Sequence, residues 1–207
     1  MQIILASASP RRQELLKLIF DSFSVVTSDC EEKAEFLSPE QYVEELSRQK
    51  ASNVFEKRKE LPCHEEECLI IGSDTIVYHN GKVLGKPHSE EHASQMLSAL
   101  SGKVHRVYTG VTLLHCSRQG EIRKQVQLHT CTNVSVAPLS PSQISAYIAT
   151  GEPFDKAGAY AIQGLFAKHI CGIEGDYFNV VGLPIHALYE TLQNHFPSVL
   201  CTQSNSS

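Results

Sequence analysis

Apolar residues along this chain fall into two spacings, and the alternation between the two predicts the elements. An unbroken apolar run at residues 3–6 reads as a short buried strand, residues 69–78 as an apolar strand interrupted by Ser73-Asp74-Thr75, and residues 23–27, rich in valine, as another. Residues 83–86 return along the 69–78 strand after His79-Asn80-Gly81-Lys82, where Asn-Gly is a strong hairpin signal. Residues 104–114 and 122–136 alternate polar and apolar positions around Ser117-Arg118-Gln119-Gly120, which makes the sheet mixed, and residues 175–184 read as a last strand. Helical spacing covers residues 10–20, 39–59, 89–100, 141–149 and 185–192. The predicted class is α/β, a mixed sheet flanked by helices, forming one domain over residues 1–196 and ending in a Ser/Asn-rich, frayed tail at 197–207.

Several polar residues sit where this pattern has no use for them. In Ser7-Ala8-Ser9-Pro10-Arg11-Arg12, Ser9 is placed to cap a helix and Pro10 to occupy its first position, yet Arg11 and Arg12 load the first turn with positive charge. The unpaired N–H groups of that turn already make it positive, so the arrangement suits an arriving anion, above all a phosphate. The starts at Ser38-Pro39-Glu40-Gln41 and Ser140-Pro141-Ser142-Gln143 carry a capping-box Gln instead. Lys50 interrupts the stripe Val43, Leu46, Val54 of a long helix, either snorkelling at its edge or aiming a cation into a cleft. Asp74 interrupts the most apolar strand and needs a partner or a metal there. An ideal hairpin pairs Thr75 with Lys86 and His79 with Lys82, so bringing both lysines to Asp74's side requires a twist or a bulge.

Composition narrows what this charge can serve. The chain has 207 residues, 42% of them hydrophobic, and 18 basic against 23 acidic residues give a net charge of −5 with no basic block. A nucleic-acid or membrane-surface role is not indicated, and any basic site is local. Seven cysteines without a tight repeat suit reduced thiols. Cys63-His64 and Cys68 lack the second ligand pair of a zinc site, and the segment reads as a solvated acidic loop. Ser89 as an N-cap puts His88 outside the helix that holds His92, so that pair need not share a face. No basic leader precedes Ile3 and no apolar run is long enough to cross a bilayer, so a cytoplasmic protein is expected.

Ser7, Ser9, Arg11, Arg12, Lys50, Lys82, Lys86 and Lys156, set against Glu31, Glu32, Asp74 and Asp155, match the needs of a triphosphate with its divalent metal. Cations neutralise phosphate oxygens, and carboxylates hold Mg²⁺ or Mn²⁺ or activate water. Neither Gly-x-x-x-x-Gly-Lys nor Gly-x-Gly-x-x-Gly is present, which argues against P-loop and dinucleotide-binding enzymes. Glu152-Pro153-Phe154-Asp155-Lys156-Ala157-Gly158-Ala159-Tyr160-Ala161-Ile162-Gln163-Gly164 suits a loop whose backbone approaches a ligand.

Ser7-Ala8-Ser9-Pro10-Arg11-Arg12, Ile71-Gly72-Ser73-Asp74-Thr75, Gly85-Lys86-Pro87, Leu100-Ser101-Gly102-Lys103-Val104-His105 with Tyr108-Thr109-Gly110-Val111, Gly151-Glu152-Pro153 with Asp155-Lys156-Ala157-Gly158-Ala159-Tyr160, and Asn179-Val180-Val181-Gly182-Leu183-Pro184 occur in this order. The set resembles the ordered motifs of the Maf family of nucleotide pyrophosphatases, from Leu5 to about Leu192. The resemblance implies a strongly curved mixed sheet with two lobes around a cleft, similar to the inosine triphosphate pyrophosphatases. It implies hydrolysis of dTTP and UTP to the monophosphate and pyrophosphate with a divalent cation, and a homodimer. By that resemblance Asp74 is the proton acceptor, with Glu32, Lys50 and Lys86 in the catalytic set and Asp74 and Glu32 as metal ligands. Ser7, Ser9, Arg11, Arg12, Thr75, Lys82, Asp155, Lys156 and Gln163 are the expected substrate residues; Arg11, Thr75 and Gln163 separate the dTTP/UTP branch from the branch acting on 7-methyl-GTP. Glu31 departs from a common Asp of the family, and the segment from Lys57 to Cys68 is longer and more acidic than usual. The competing readings are a nucleotide-binding regulator without turnover and a pyrophosphatase for non-pyrimidine or damaged nucleotides.

Overall fold

The computed structural model describes residues 1–30, 34–35, 38–59 and 66–201, with the side chains of 59 and 201 excepted. A single sheet carries the strands in the order β2 (Ser24–Val25), β1 (Gln2–Ala6), β3 (Cys68–His79), β5 (Val104–Cys116), β6 (Ile122–Val136), β7 (Ile170–Glu174), and β4 (Lys82–Leu84) pairs with β3. β1 runs parallel to β2 and β3, whereas β3–β4 and β6–β7 are antiparallel, so the sheet is mixed as the pattern predicts. The helices are α1 (Pro10–Leu16), α2 (Pro39–Lys59), α3 (Glu90–Leu100), α4 (Pro141–Ile148), α5 (Tyr177–Val181), α6 (Ile185–His195) and α7 (Pro197–Cys201). The chain divides into two compact units: Met1–Asp74 with Thr109–Thr130 and Gly182–Ser207, and Thr75–Tyr108 with Cys131–Val181. Strands β3, β5 and β6 are long enough to contribute residues to both.

Two predicted elements differ from the structure. The segment read as a last strand, residues 175–184, holds α5 instead, and the strand lies earlier, at Ile170–Glu174. Val180 and Val181 suggested extended backbone, but Asp176 accepts a hydrogen bond from the Phe178 amide at 2.7 Å and turns the chain into a helix. Helix α1 is shorter than its apolar spacing suggested, ending in successive turns at Leu18, Ile19 and Phe20. The tail begins with α7, in which Val199 is buried, and residues 202–207 lie outside the described residues.

In the first unit the core lies between α2 and the sheet, where Ala51, Val54 and Phe55 pack on Ile4, Ala6, Cys68, Ile70, Leu114 and Cys116. Cys68 thus belongs to the core rather than to a metal-binding loop, and Cys30, Cys68, Cys131 and Cys171 are free thiols. Two glycines let the helix lie close to the strands. A β-carbon on Gly72 would stand 2.4 Å from the Ser47 carbonyl oxygen, and one on Gly110 would stand 2.2 Å from that of Val43. Backbone cannot yield as a flexible side chain can, so both positions require glycine for space rather than for dihedral freedom.

In the second unit α3 and α4 supply Ala93, Met96, Leu97, Leu100, Ile144, Tyr147 and Ile148 to the core. A chain of rings continues it: Phe166 lies 4.9 Å from Tyr147 and 5.1 Å from Tyr160, centroid to centroid, and His105 shares a 2.7 Å hydrogen bond with the Tyr160 hydroxyl. Among the described residues His105 Nδ1 and His79 Nε2 are buried without a hydrogen-bond partner. Burial, with a smaller contribution from His79, holds the His105 imidazole down at about 4.

Gly110→Ala should lower unfolding free energy by about 3 kcal/mol, while Gly85→Ala, where an added β-carbon meets nothing within 4 Å, should leave it almost unchanged. Urea unfolding of both variants checks this. His105 yields a second expectation with a definite sign. Its folded value lies below the unfolded value of 6.5, so its stabilising effect is complete above about pH 6.5 and is lost as pH falls toward 4. Wild-type protein should therefore lose on the order of 2 kcal/mol more between pH 7 and pH 4.5 than a His105→Gln variant, as read from urea midpoints at the two pH values.

Candidate functional site

The first unit gathers the unusual charges around β1, α1 and β3. Leaving β1, the chain reaches Ser7, whose hydroxyl accepts the Ser9 amide at 3.2 Å, and Ser9 caps α1 by accepting the Arg12 amide at 3.5 Å. No acidic residue occupies the first turn of α1. The Arg12 side chain is held at two points, donating Nε to the Gly182 carbonyl at 2.8 Å and Nη1 to the Ser7 hydroxyl at 3.2 Å. Arg11, beside it, is half-buried. Gly182, at φ 125°, occupies the left-handed side of backbone space that favours glycine.

Asp74 stands near the middle of β3. The close approach of α2 at Gly72 brings the turn carrying Lys50 over it, and Lys50 Nζ forms an ion pair with Asp74 Oδ1. Only 17% of the lysine side chain and 10% of the aspartate side chain remain exposed. This resolves both anomalies of the sequence with one contact: the cation in the apolar stripe is the partner that the buried carboxylate needs. Ser73, fully buried, donates its hydroxyl to the same Gly182 carbonyl at 3.1 Å. One backbone oxygen therefore links the arginine of α1 to the residue preceding Asp74.

The remaining candidates among the described residues belong to the second unit. Thr75 follows Asp74 and is half-buried. Lys82 is exposed opposite His79, as the hairpin register predicts, with Asn80 at φ 48° and Gly81 at φ 79° forming the turn. Lys86 does not pair with Thr75, because β4 ends at Leu84 and the Gly85 carbonyl accepts the Gly158 amide at 3.0 Å. The ladder thus releases Lys86 without a bulge. Asp155 and Lys156 form an ion pair with each other, so the loop carries their charges as a neutral pair. Gln163 is exposed between buried Ile162 and half-buried Gly164. Glu31 and Glu32, the latter expected in the catalytic and metal sets, lie outside the described residues, as do Cys63 and His64.

Among the described residues no group of three or more His, Cys, Asp or Glu side chains converges as a metal site does. Among the sequence-predicted metal ligands only Asp74 is described, and its carboxylate is paired with the Lys50 ammonium. His88 and His92, not required by spacing to meet, do meet: Ser89 caps α3, and their Nδ1 atoms share a 2.7 Å hydrogen bond, one as donor and the other as acceptor.

A model of the family described as Maf-like protein matches residues 2–195. The chain belongs to the Maf-like family. Its relatives in that family include proteins named dTTP/UTP pyrophosphatase from Lachnoclostridium phytofermentans, 45% identical over 93% of this chain and 94% of that one, and from Carboxydothermus hydrogenoformans, 49% identical over 93% and 98% respectively. Among solved structures the Staphylococcus aureus Ham1 protein is similar at a TM-score of 0.46 and 13% identity, covering 94% of this chain and 99% of that one. Within the Maf-like chain, the arginine-rich helix start, Lys50 and Asp74 are joined by two groups that the sequence reading quoted but assigned no role, the Ser73 hydroxyl and the Gly182 carbonyl. Ser73 was open to detection as a polar residue in an apolar strand, whereas a carbonyl has no side-chain signature.

Lys50→Met should leave the Asp74 charge without its ammonium and lower stability by about 3 kcal/mol. Adding Asp74→Asn should restore part of that loss, so the two substitutions are non-additive by at least about 1 kcal/mol in a denaturation cycle. Additive losses would show that the pair is not coupled.

Proposed function

We propose that this chain hydrolyses nucleoside triphosphates, dTTP and UTP foremost, to the monophosphate and pyrophosphate. The observation that carries this reading is the buried Lys50–Asp74 pair, linked through Ser73 and the Gly182 carbonyl to a two-point-anchored Arg12. The names of the relatives support the same chemistry and suggest the pyrimidine substrates.

In this reading Asp74 accepts a proton from the water that attacks the α-phosphorus, and pyrophosphate departs with its electron pair. Lys50 pairs with the carboxylate and orients it until substrate binds. Arg12 is preorganised by the Gly182 and Ser7 oxygens, so little side-chain freedom is lost when it meets phosphate. Ser7, Ser9 and Arg11 add donors at the start of α1, and Lys82, Lys86, Asp155, Lys156 and Thr75 complete the proposed substrate set. Lys86 serves with Lys50 in neutralising the leaving pyrophosphate. Gln163 reads the pyrimidine edge, since its amide both donates and accepts. A divalent cation, Mg²⁺ or Mn²⁺, arriving with the triphosphate and held by Asp74 with Glu32, would supply further neutralisation of the phosphate charge. A cytoplasmic homodimer belongs to the same reading; among the described residues no helix is long and apolar enough to cross a membrane.

Pyrophosphate release from UTP, dTTP, CTP, GTP, ITP and 7-methyl-GTP tests the proposal. Wild-type protein should turn over UTP and dTTP fastest, and Asp74→Asn should lower kcat by at least 10²- to 10³-fold while keeping its far-ultraviolet circular dichroism. Nucleotide binding without turnover would instead support a regulator, and fastest turnover of ITP or 7-methyl-GTP would support a pyrophosphatase for other nucleotides.

A further inference from the structure

We infer that Glu152 is the positioning residue that sets base selectivity, acting through the turn that carries Gln163; the inference rests on the reading of Gln163 as the base-reading side chain. Glu152 follows Gly151, whose φ of 76° ends the turn after α4, and it opens a short 3₁₀ segment, Glu152–Asp155. Its carboxylate faces back toward the chain rather than out to a counter-ion. Oε1 accepts the Tyr147 hydroxyl at 2.9 Å, and Oε2 accepts the Leu165 amide at 2.9 Å. Tyr147 is buried and lies beside this carboxylate, and both effects hold its phenol far above its ordinary value, so it remains a donor at any physiological pH.

The carboxylate also occupies the space beside the α-carbon of Gly164. A β-carbon there would stand 2.2 Å from Oε1, 2.5 Å from the carboxyl carbon and 2.6 Å from Oε2. The Glu152 carboxylate thus fills the space beside the Gly164 α-carbon, and a side chain there would have to displace it. On the other side the Gly164 amide donates to the Ala161 carbonyl at 3.2 Å, and the Gly164 carbonyl accepts the Ala167 amide at 3.0 Å. Ala161, Ile162 and Phe166 are buried, with Phe166 packed on Tyr147 and Tyr160.

Gln163 is thus an exposed side chain on a turn whose backbone is fixed on every side. Its own amide is not what fixes it. The direction in which it projects is inherited from the Gly164–Leu165 backbone, and Glu152 is the only side chain that binds that backbone directly among the described residues. A base-reading amide displaced by about 1 Å forfeits much of its discrimination, whereas the Lys50–Asp74 pair and the Arg12 anchors are built from residues of the first unit.

The experiment measures kcat and KM for UTP, dTTP, CTP and GTP in wild type, Gln163→Ala, Glu152→Ala, Glu152→Asp and Glu152→Gln, with the unfolding midpoint of each. Gln163→Ala should lower the kcat/KM ratio of UTP over GTP. Glu152→Ala and Glu152→Asp, the second keeping the charge but too short to reach both Tyr147 and Leu165, should lower it about tenfold through the KM for UTP, with kcat changed less than about threefold. Glu152→Gln should keep the ratio near wild type, because its amide oxygen accepts the Leu165 N–H while its NH₂ group donates to the Tyr147 oxygen. A ratio unchanged in Glu152→Asp, when Gln163→Ala lowers it, would overturn the role of Glu152 alone. A ratio unchanged in Gln163→Ala would overturn the reading of Gln163, and the inference with it. Loss of kcat on every nucleotide in parallel with a lower unfolding midpoint would show a merely structural role and would also overturn it.

Discussion

The buried ion pair between Lys50 and Asp74 is the contact on which the remaining arrangement depends. A carboxylate inside the most apolar strand is tolerable only with a cation delivered to it. Delivery requires α2 to lie closer to the sheet than a side chain on the strand permits. Gly72 and Gly110 provide that approach, one on each of two strands, and the apolar stripe of α2 pins it from below. Core packing and chemical poise are therefore one structural requirement. A residue larger than glycine at position 72 moves the helix, and moving the helix separates the pair.

Around this pair the backbone contributes as much as the side chains. The Gly182 carbonyl accepts from Arg12 and from Ser73, and so ties the helix start to the strand that carries Asp74. Such a group stabilises positive charge without adding negative charge of its own. That property matters where the incoming ligand is a polyanion: an aspartate in the same place would anchor Arg12 but also repel phosphate. The inward-facing Glu152 follows the same logic in the second unit, its carboxylate engaged by the Tyr147 hydroxyl and the Leu165 amide.

The elements were legible where the pattern was periodic and the punctuation strong. Helix α2, the Asn80-Gly81 hairpin, the Ser140 capping box and the mixed sheet were all readable in that way. Residues 175–184 were not, because their valines suit a strand and the local hydrogen bond at Asp176 that favours a helix is a weak signal by comparison. The charges out of place were legible as anomalies, Lys50 and Asp74 because they interrupt apolar patterns and Arg12 because it adds positive charge to a helix start. What sequence did not carry was their geometry: that Lys50 meets Asp74, and that Arg12 is anchored by a carbonyl. Glu152 escaped notice because it occupies a loop rich in charged and small residues, where a carboxylate violates nothing.

The account turns on where water attacks. Hydrolysis of UTP in water enriched in ¹⁸O, followed by mass spectrometry of both products, tests it most directly. If Asp74 activates water toward the α-phosphorus, the label appears in uridine monophosphate and the pyrophosphate is unlabelled. Label in the pyrophosphate, or release of orthophosphate with uridine diphosphate, would place the attack at another phosphorus and contradict the assignment.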